Sequence, residues 1–389
     1  MPRFDPAPEH AAIRDGVARI CARFPDAYWR DLDARRAYPT DFVAALTEAG
    51  WLAALIPEDH GGAGLPLAAA CVILEEIHAS GCNAAACHAQ MYTMGTLLRH
   101  GSAEQKARWL PAIAEGQLRL QAFGVTEPGS GTDTLALSTT ARRDGDGYVV
   151  DGQKIWTSRA EHSDLMLLLA RTTPREQVAK RTEGLSVFLI DLRALRGSGV
   201  TIRPIRTLMN HATTEVFFDG ARIPADALIG EEGKGFRYIL SGMNAERILI
   251  AAECLGDARW FLDRAAAYGR ERVVFGAPIG RNQGVQFPLA RAEAQRMAAE
   301  ALVYRAARLF DEGADDGAQA NAAKMLAAEA SWAAGEACLQ THGGFGFAED
   351  FDIERKWRET RLYQVAPIST NLVLAHIAER VLGLPKSYG

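Results

Sequence analysis

Long apolar runs and clusters of basic residues are both missing from this chain of 389 residues. No apolar run approaches the ~18 residues of a membrane-spanning helix, and the first residues, M-P-R-F-D-P-A-P-E-H, contain no apolar core of the signal-peptide type. Lysine and arginine nowhere form a run, and the net charge of −5 gives no basic field for nucleic acid. These absences predict a cytoplasmic protein with no integral membrane contact and no nucleic-acid partner.

Cysteine is scarce, and the motifs of several enzyme classes are absent. None of the 6 cysteines shows the C-x-x-C spacing of a zinc or redox site, so free buried thiols are expected. No G-x-G-x-x-G opens a strand-to-helix turn, and neither H-E-x-x-H nor G-x-S-x-G occurs. The sequence therefore disfavours a Rossmann dinucleotide site, a metal site and a serine hydrolase.

The spacing of apolar residues divides the chain into a helical, a sheet and a second helical region. Helical spacing in alanine-rich sequence extends from about residue 10 to 120, with clear segments at 41–46, 67–79 and 84–100. The helical period returns after Gly233 in four long segments, at 236–269, 285–312, 318–341 and 367–382. These four segments predict a bundle.

The middle region alternates short β-type segments with proline and glycine clusters. Strands are predicted at 165–170, 185–190, 200–205 and 215–218. The segment D-G-Y-V-V-D-G-Q-K-I-W, residues 146–156, is predicted as two strands about an Asp-Gly turn. The predicted fold class is a multidomain α+β protein, with an α-helical domain over 1–120, an antiparallel β-barrel or sandwich over 121–230 and a four-helix bundle over 231–389.

A glycine-rich and hydroxyl-rich loop is the stretch around which the chain is organised. It reads A-F-G-V-T-E-P-G-S-G-T-D-T over residues 122–134. Glycine lets a ligand approach the backbone closely, and consecutive N–H groups form a nest that accepts a phosphate. A surface turn between two domains explains the same composition, so both interpretations stay open at this point.

Three further segments combine groups that bind or react. Trp156-Thr157-Ser158 ends a predicted strand, where the tryptophan either covers a planar heterocycle or is half-buried in the core. Arginine and glycine in E-R-V-V-F-G-A-P-I-G-R-N-Q and Q-T-H-G-G-F-G-F suit a pyrophosphate, although helix termination explains them too. Asn244-Ala245-Glu246-Arg247 interrupts an apolar helix, and its charges form either a structural ion pair or part of a catalytic site.

These motifs, taken in this order, resemble the acyl-CoA dehydrogenase family over nearly the whole chain. A-F-G-V-T-E-P-G-S-G-T-D resembles its T-E-P-x-x-G-S-D segment, K-I-W-T-S its K-x-W-I-T, E-R-V-V-F-G-A-P its R-x-x-F-G-x-P, and Q-T-H-G-G-F-G-F its Q-x-x-G-G-x-G-[YF]. The sequence departs from the family at Thr132, where serine is usual, and at Ser158, where threonine is usual. Both departures keep the hydroxyl.

The resemblance implies FAD as the cofactor and assigns residues to it. The loop and strand that would contact the flavin and phosphates supply Phe123, Val125, Thr126, Gly131, Thr132, Trp156 and Ser158. The adenine and pyrophosphate would be held, in part across a subunit boundary, by Arg272, Phe275, Gln283, Gln340 and Gly344, and Ser369 and Asn371 are further implied FAD contacts. Thr132 and Arg247 are the implied substrate contacts.

The catalytic base of the family is not in its usual place. Most members have a glutamate in an I-Y-E-G-T segment. This sequence reads V-A-P-I-S-T-N there, and Pro367 stands at the position of the glutamate. Proline cannot accept a proton, and it lacks the backbone N–H that in the family helps to bind the thioester carbonyl. A branch that includes the isovaleryl and long-chain enzymes carries the base in an E-R-[IL]-[LV] segment, which Glu246-Arg247-Ile248-Leu249 matches. The resemblance thus assigns the base to Glu246.

The function implied is the FAD-dependent dehydrogenation of an acyl-CoA thioester to a trans-2-enoyl-CoA. Its electrons would pass to an electron-transfer flavoprotein, and the protein would be a homotetramer or homodimer. Two alternatives keep the fold: a dehydrogenase of a carrier-protein-bound acyl group, and an acyl-CoA oxidase. A non-catalytic flavoprotein or assembly factor is the alternative of another class, against which the E-R-I-L segment argues.

Overall fold

The computed structural model describes residues 9–314 and 317–387, in which helices, then strands, then helices follow one another. The N-terminal helices are α1 Glu9–Cys21, α2 Asp26–Arg35, α3 Thr40–Glu48, α4 Leu67–Ala79, α5 Ala85–His100 and α6 Ala103–Ala114. The middle elements are β1 Leu120–Gly124, β2 Thr140–Asp144, β3 Gly147–Ser158, β4 Leu165–Arg171, β5 Leu185–Asp191, the short helix α7 Leu192–Leu195, β6 Val200–Pro204, β7 Thr213–Pro224 and β8 Leu228–Ile229. The last stretch holds α8 Gly235–Glu271, the hairpin strands β9 Val273–Val274 and β10 Ala277–Pro278, α9 Gln283–Asp311, α10 Ala318–His342, α11 Ile353–Arg361 and α12 Thr370–His376. The predicted order of helical, sheet and helical regions is confirmed.

Internal contacts group the described residues into two compact units. The helical unit comprises the described parts of 1–35, 66–84 and 244–389, and the sheet unit comprises 36–65 and 85–243. No helix of the described residues is both long enough and apolar enough to cross a membrane.

The sheet unit is built on one eight-stranded sheet. Its strand order is β6-β7-β3-β2-β4-β5-β8, with β1 paired to β4. The pairings are antiparallel, as predicted, except that β1 runs parallel to β4 and that β2 meets β4 in one parallel pair, Thr140 with Arg171. Leu165, Leu167 and Leu169 of β4 belong to one buried apolar cluster, whereas Met166 and Leu168 belong to another. Burial on both faces explains why this strand is apolar throughout and does not alternate.

The predicted Asp-Gly turn is wrong, although a hairpin does form. Its turn follows Asp144, which pairs with Gly147, while Asp151 and Gly152 lie inside the single strand β3. Gly152 has φ 144°, and a Cβ there would lie 2.6 Å from Thr139 Oγ1. This glycine therefore serves a close approach between chain segments at an irregular point of the sheet, and not a turn.

The four predicted C-terminal helical segments are confirmed: α8, α9 and α10 match three of them, and the fourth, predicted over 367–382, is helical over 370–381. Within this segment, helix α12 covers Thr370–His376, with Ser369 capping its start, and a π-helical turn continues it over Ile377–Val381. Helix α11 is missing from the prediction because its sequence, I-E-R-K-W-R-E-T-R, is mostly charged. It is nevertheless packed, since Arg355 pairs with Glu359 at 2.9 Å and Lys356 pairs with Asp257. Because this helix is held by ion pairs between buried charges, its sequence lacks the periodic apolar residues from which a helix is predicted.

Candidate active site

A buried ion pair joins the glycine-rich loop of the sheet unit to strand β3. Lys154 Nζ donates to Glu127 Oε1 at 2.8 Å and to the carbonyl of Val125 at 3.1 Å. The Glu127 carboxylate also accepts from the backbone N–H of Ser138 at 2.6 Å and of Thr139 at 2.9 Å. The T-E-P and K-x-W segments are thus held together by charge-assisted hydrogen bonds.

Burial and pairing compete in setting the charge of this ion pair. Burial would raise the pKa of Glu127, but Lys154 and the hydrogen bonds outweigh it and lower the pKa to about 2. Burial lowers the pKa of Lys154 to about 8, against the attraction of Glu127. Both groups are therefore charged at pH 7 and stabilise each other.

The glycine-rich loop leaves backbone open to a ligand. A Cβ added to Gly129 or to Gly131 would meet no atom within 4 Å, so neither glycine is required by packing within the chain. Gly131 and Thr132 are exposed, and Ser130 closes the preceding turn by donating its N–H to Glu127 O at 3.0 Å. An open turn of small residues is the geometry that lets a phosphate approach the main chain.

Trp156 stands out of the sheet near the end of β3. Its side chain is 57% exposed and its backbone has φ 60°. The pairing of β3 with β7 is irregular between Lys154 and Thr157, which re-aims the strand, and Ser158 then pairs with Thr213. The interpretation of Trp156 as a half-buried core residue is therefore wrong. The strand exposes an aromatic ring that is available for stacking.

Phe123, Val125 and Thr126 lie on the segment that follows β1 towards the loop. Val125 is buried, while Phe123 and Thr126 are partly buried. The Phe123 ring meets Tyr92 of α5 edge-on, with the centroids 5.8 Å apart. Ile155 N–H donates to Thr126 O at 2.9 Å, so the segment runs beside the strand that carries Trp156. The sheet unit thus brings together the predicted flavin residues of its two motifs.

In the helical unit, Glu246 is partly buried on α8. Its burial and the charge of Glu253 raise its pKa, against Arg247 and Lys324, to about 7. Arg247 donates to Asn244 Oδ1 at 2.7 Å, and among the described residues Glu246 forms no salt bridge. No salt bridge joins Glu246 to Arg247 among the described residues, and the charge of Arg247 only partly offsets the effect of burial on the pKa of Glu246.

Pro367 lies in the loop between α11 and α12. The segment begins where Ala366 N–H donates to Leu362 O at 2.9 Å. Lys324 of α10 donates its Nζ to Ile368 O at 3.0 Å. The loop is therefore tied to α10, and Pro367 contributes neither an acid nor a backbone donor.

The remaining predicted FAD residues lie in the helical unit and are mostly exposed. Phe275 follows β9 and is completely exposed, with φ 50°. The other exposed members are Arg272, Gln283, Gln340, Gly344 and Asn371, whereas Ser369 is partly buried as the cap of α12. Phe275 makes such a small contribution to the packing of its own chain that its ring is available to another molecule.

Two predicted FAD residues share an uncommon backbone conformation. Among the described residues, six other than glycine have positive φ, and Trp156 and Phe275 are two of them. Holding a bulky residue in this region costs about 1–3 kcal/mol, and such strain concentrates at ligand sites. Both rings are exposed, so burial within the chain does not offset the backbone strain.

Sequence reasoning missed three buried residues that hold candidate segments in place within each unit. Glu127 and Lys154 lie inside the quoted motifs, yet nothing in a separation of 27 residues says that they pair. Lys324 lies outside every quoted motif. Lys324 is a lone lysine in alanine-rich helical sequence. That pattern fits a solvated surface charge as well as a buried one, so it does not predict the burial.

Three family models match successive parts of the chain. They are acyl-CoA dehydrogenase N-terminal domain over residues 7–117, middle domain over 122–221 and C-terminal domain over 233–382. The chain is 34% identical over 388 residues to the acyl-CoA dehydrogenase FadE12 of Mycobacterium tuberculosis, covering 99% of each chain.

Solved structures give the same result. A glutaryl-coenzyme A dehydrogenase in complex with glutaryl-CoA superposes with a TM-score of 0.91 at 28% identity, covering 100% of this chain and 98% of the other. The prolyl acyl carrier protein oxidase AnaB superposes with a TM-score of 0.90 at 25% identity, covering 97% and 100%.

Proposed function

We propose that this chain, which belongs to the acyl-CoA dehydrogenase family, desaturates an acyl-CoA thioester between its α and β carbons with Glu246 as the base. As a member of the family it is an FAD-dependent oxidoreductase. The observation that carries the proposal is Glu246 itself, a partly buried carboxyl group with a pKa of about 7, in a chain whose usual base position holds Pro367.

The residues of this chain fit FAD. Trp156 offers an exposed ring at a strand end, and the open loop at Gly129 and Gly131 offers backbone to phosphates. Phe275 and Arg272 on the hairpin after α8 are exposed, as residues that hold a cofactor of a neighbouring subunit must be. Bound FAD supplies the acceptor for the hydride that leaves the β-carbon of the substrate.

Glu246 removes the proton from the carbon next to the thioester carbonyl. The ionised carboxylate is the active form, and its raised pKa makes it a stronger base than an exposed glutamate while keeping about half of it ionised near pH 7. Loss of this proton and of the β-hydride leaves a trans-2-enoyl thioester. We expect the rate of the reaction to rise with pH through about 7.

Two partners complete the proposed function. An electron-transfer flavoprotein is the proposed electron acceptor, and the proposed assembly is a homo-oligomer in which Arg272 and Phe275 reach the FAD of a neighbour. The exposed Val273, Phe275 and Phe287 support an interface, since large exposed apolar side chains grouped on one segment are uncommon on a monomer.

A carrier-bound acyl group is the second candidate substrate. Its support is the similarity to the structure of a prolyl acyl carrier protein oxidase. An anaerobic panel of straight and branched acyl-CoAs, run beside the same acyl groups on a carrier protein, separates the two by which bleaches the flavin. Bleaching by an acyl-CoA supports the proposal. Bleaching by the carrier-bound group alone, or by neither, contradicts it. Hydrogen peroxide formed in air would mark an oxidase.

Phe275→Ala should reduce FAD occupancy and the oligomeric state without unfolding the chain. The ring is completely exposed, so its removal costs the isolated chain almost no buried area. Flavin absorbance per chain and light scattering measure the two effects, and Leu384→Ala, also an exposed apolar change at 54% exposure, is the control. An oligomer with unchanged FAD in Phe275→Ala would contradict the intersubunit assignment.

A further inference from the structure

Arg171, at the end of strand β4, is buried against the backbone that follows the glycine-rich loop. Its side chain is 8% exposed. The guanidinium group donates to two main-chain carbonyls, from Nη2 to Leu135 O at 2.9 Å and from Nε to Leu137 O at 3.4 Å. Its backbone N–H donates to Thr139 O at 2.8 Å. One residue of β4 therefore makes three hydrogen bonds to the segment 135–139, the C-terminal arm of the loop.

The C-terminal arm is joined directly to the open part of the loop. It begins within the 3-10 turn Thr134–Ala136, whose last N–H donates to Asp133 O at 3.0 Å. The same carbonyl accepts from Ser130 Oγ at 2.6 Å. Ser130 lies between Gly129 and Gly131, where a Cβ would meet no atom within 4 Å. Packing within the chain therefore does not fix the two glycines, and their position depends on the backbone to which they are joined.

Two charged side chains hold the C-terminal arm by opposite kinds of backbone group. The Glu127 carboxylate accepts from the N–H groups of Ser138 and Thr139 at 2.6 and 2.9 Å. The Arg171 guanidinium group donates to carbonyl groups of the same arm. Buried backbone donors and acceptors both need partners, and the two side chains supply one kind each. Loss of Arg171 would leave the arm with its donors bound and these carbonyls released.

Stability alone does not explain an arginine at this position. Nη1 of Arg171 is buried and has no hydrogen-bond partner among the residues that the structure describes. A buried guanidinium group that is bound only by carbonyls costs several kcal/mol, and an apolar side chain would avoid that cost. What arginine adds is a planar fork that binds two acceptors at once in a fixed geometry.

We propose that Arg171 is a positioning residue for FAD: it fixes the C-terminal arm of the glycine-rich loop and thereby holds the N–H groups around Gly131 in place for the phosphates of the cofactor. This inference rests on the proposed function in that the loop is taken as part of the FAD site. It goes beyond that function by naming a residue outside the quoted motifs that shapes the site through the backbone.

The test follows the cofactor in the FAD-loaded protein without substrate. After dilution of the holoprotein, the rise of flavin fluorescence gives the rate of FAD release. Arg171→Met should speed release at least about 10-fold, because losing a hydrogen bond from a charged group corresponds to a factor of that order. Arg171→Lys keeps the charge but not the fork, so it should also speed release. In both variants the ³¹P resonances of the bound pyrophosphate should shift, because its N–H donors move.

A matched control separates loop position from general stability. Gln105 of α6 is also 8% exposed, and its Nε2 donates to two carbonyls of the sheet unit, Asp226 O at 2.7 Å and Leu228 O at 2.8 Å. None of these residues is assigned to FAD. Gln105→Met should lower the melting temperature, as Arg171→Met does, but leave FAD release and the ³¹P resonances unchanged. Arg171→Lys decides the question where Arg171→Met does not fold.

The outcomes distinguish this inference from the function on which it rests. Wild-type release with unshifted ³¹P resonances in either Arg171 variant overturns the role of Arg171, and so does equally fast release in Gln105→Met. Gly131→Val places a side chain in the open space of the loop and tests the loop itself. If Gly131→Val releases FAD as slowly as the wild type, the loop is not part of the FAD site, and that part of the proposed function fails together with this inference. Fast release in Gly131→Val with wild-type release in the Arg171 variants overturns only the role of Arg171.

Discussion

Replacing Glu246 by glutamine should slow flavin reduction by an acyl-CoA at least ~10²-fold, which is the contribution of a general base. Glutamine keeps the size and the hydrogen-bonding capacity of glutamate, but it cannot take up a proton. The fold should be unaffected, because Glu246 forms no salt bridge with the described residues that its loss would break. Anaerobic rapid mixing measures the rate, and flavin absorbance confirms that FAD stays bound.

The pH dependence of the same experiment adds a second criterion. In the wild type the rate should rise with pH through about 7, because burial raises the pKa of Glu246 to that value and the deprotonated form is the active one. In Glu246→Gln this step should vanish. Glu329→Gln, the same substitution at an exposed position of α10, is the control and should keep both rate and profile. Bleaching of Glu246→Gln at the wild-type rate would refute the assignment of the base.

The sequence predicts elements well wherever burial is one-sided or complete. The helix 67–79 is predicted with the bounds that α4 has, because an alanine-rich run of good helix formers begins directly after Pro66, and the helix is buried along almost its whole length. The strand β4 is predicted because a short apolar run bounded by turn residues suits a strand buried on both faces. Failures occur where long-range contacts decide. Gly152 of the predicted Asp151-Gly152 turn is instead required because the backbone there lies close to Thr139. The unpredicted helix α11 is stabilised by ion pairs with residues distant in sequence.

The chemistry of the site is more visible in the sequence than its scaffold. Trp156 and Glu246 stand out as an aromatic next to hydroxyls and as an acid in apolar sequence, and both have the exposure or the raised pKa that their proposed roles require. The pairing of Glu127 with Lys154 cannot be read from the chain, since burial of both groups follows only from the folded sheet. The same holds for Lys324, whose partner Ile368 lies 44 residues away.

Replacing Lys154 by methionine should destabilise the protein by about 3–5 kcal/mol, the cost of leaving a buried charge without its partner. The Glu127 carboxylate would keep its hydrogen bonds from Ser138 and Thr139 but lose the cation at 2.8 Å. Since Lys154 and Glu127 link the loop to the strand that carries Trp156, FAD retention should fall as well. Urea unfolding gives the free energy of unfolding, and flavin fluorescence gives the fraction of FAD released.

The double variant Glu127→Gln/Lys154→Met decides whether the ion pair or its packing is responsible. With both charges removed, part of the lost stability should return, because no unpaired charge stays buried. Arg181→Met is the control, since the pair that Asp133 of the same loop forms with Arg181 spans 3.1 Å with both side chains more than half exposed, and such pairs contribute about 1 kcal/mol or less.

The stability in acid is an independent test of the ion pair. The pKa of Glu127 is lowered from 4.5 to about 2, so its contribution to stability is present above about pH 4.5 and is lost as the pH falls towards 2. Stability in Glu127→Gln should therefore fall less steeply across that window than in the wild type, and an equally steep fall in both would show that the ion pair does not stabilise the loop.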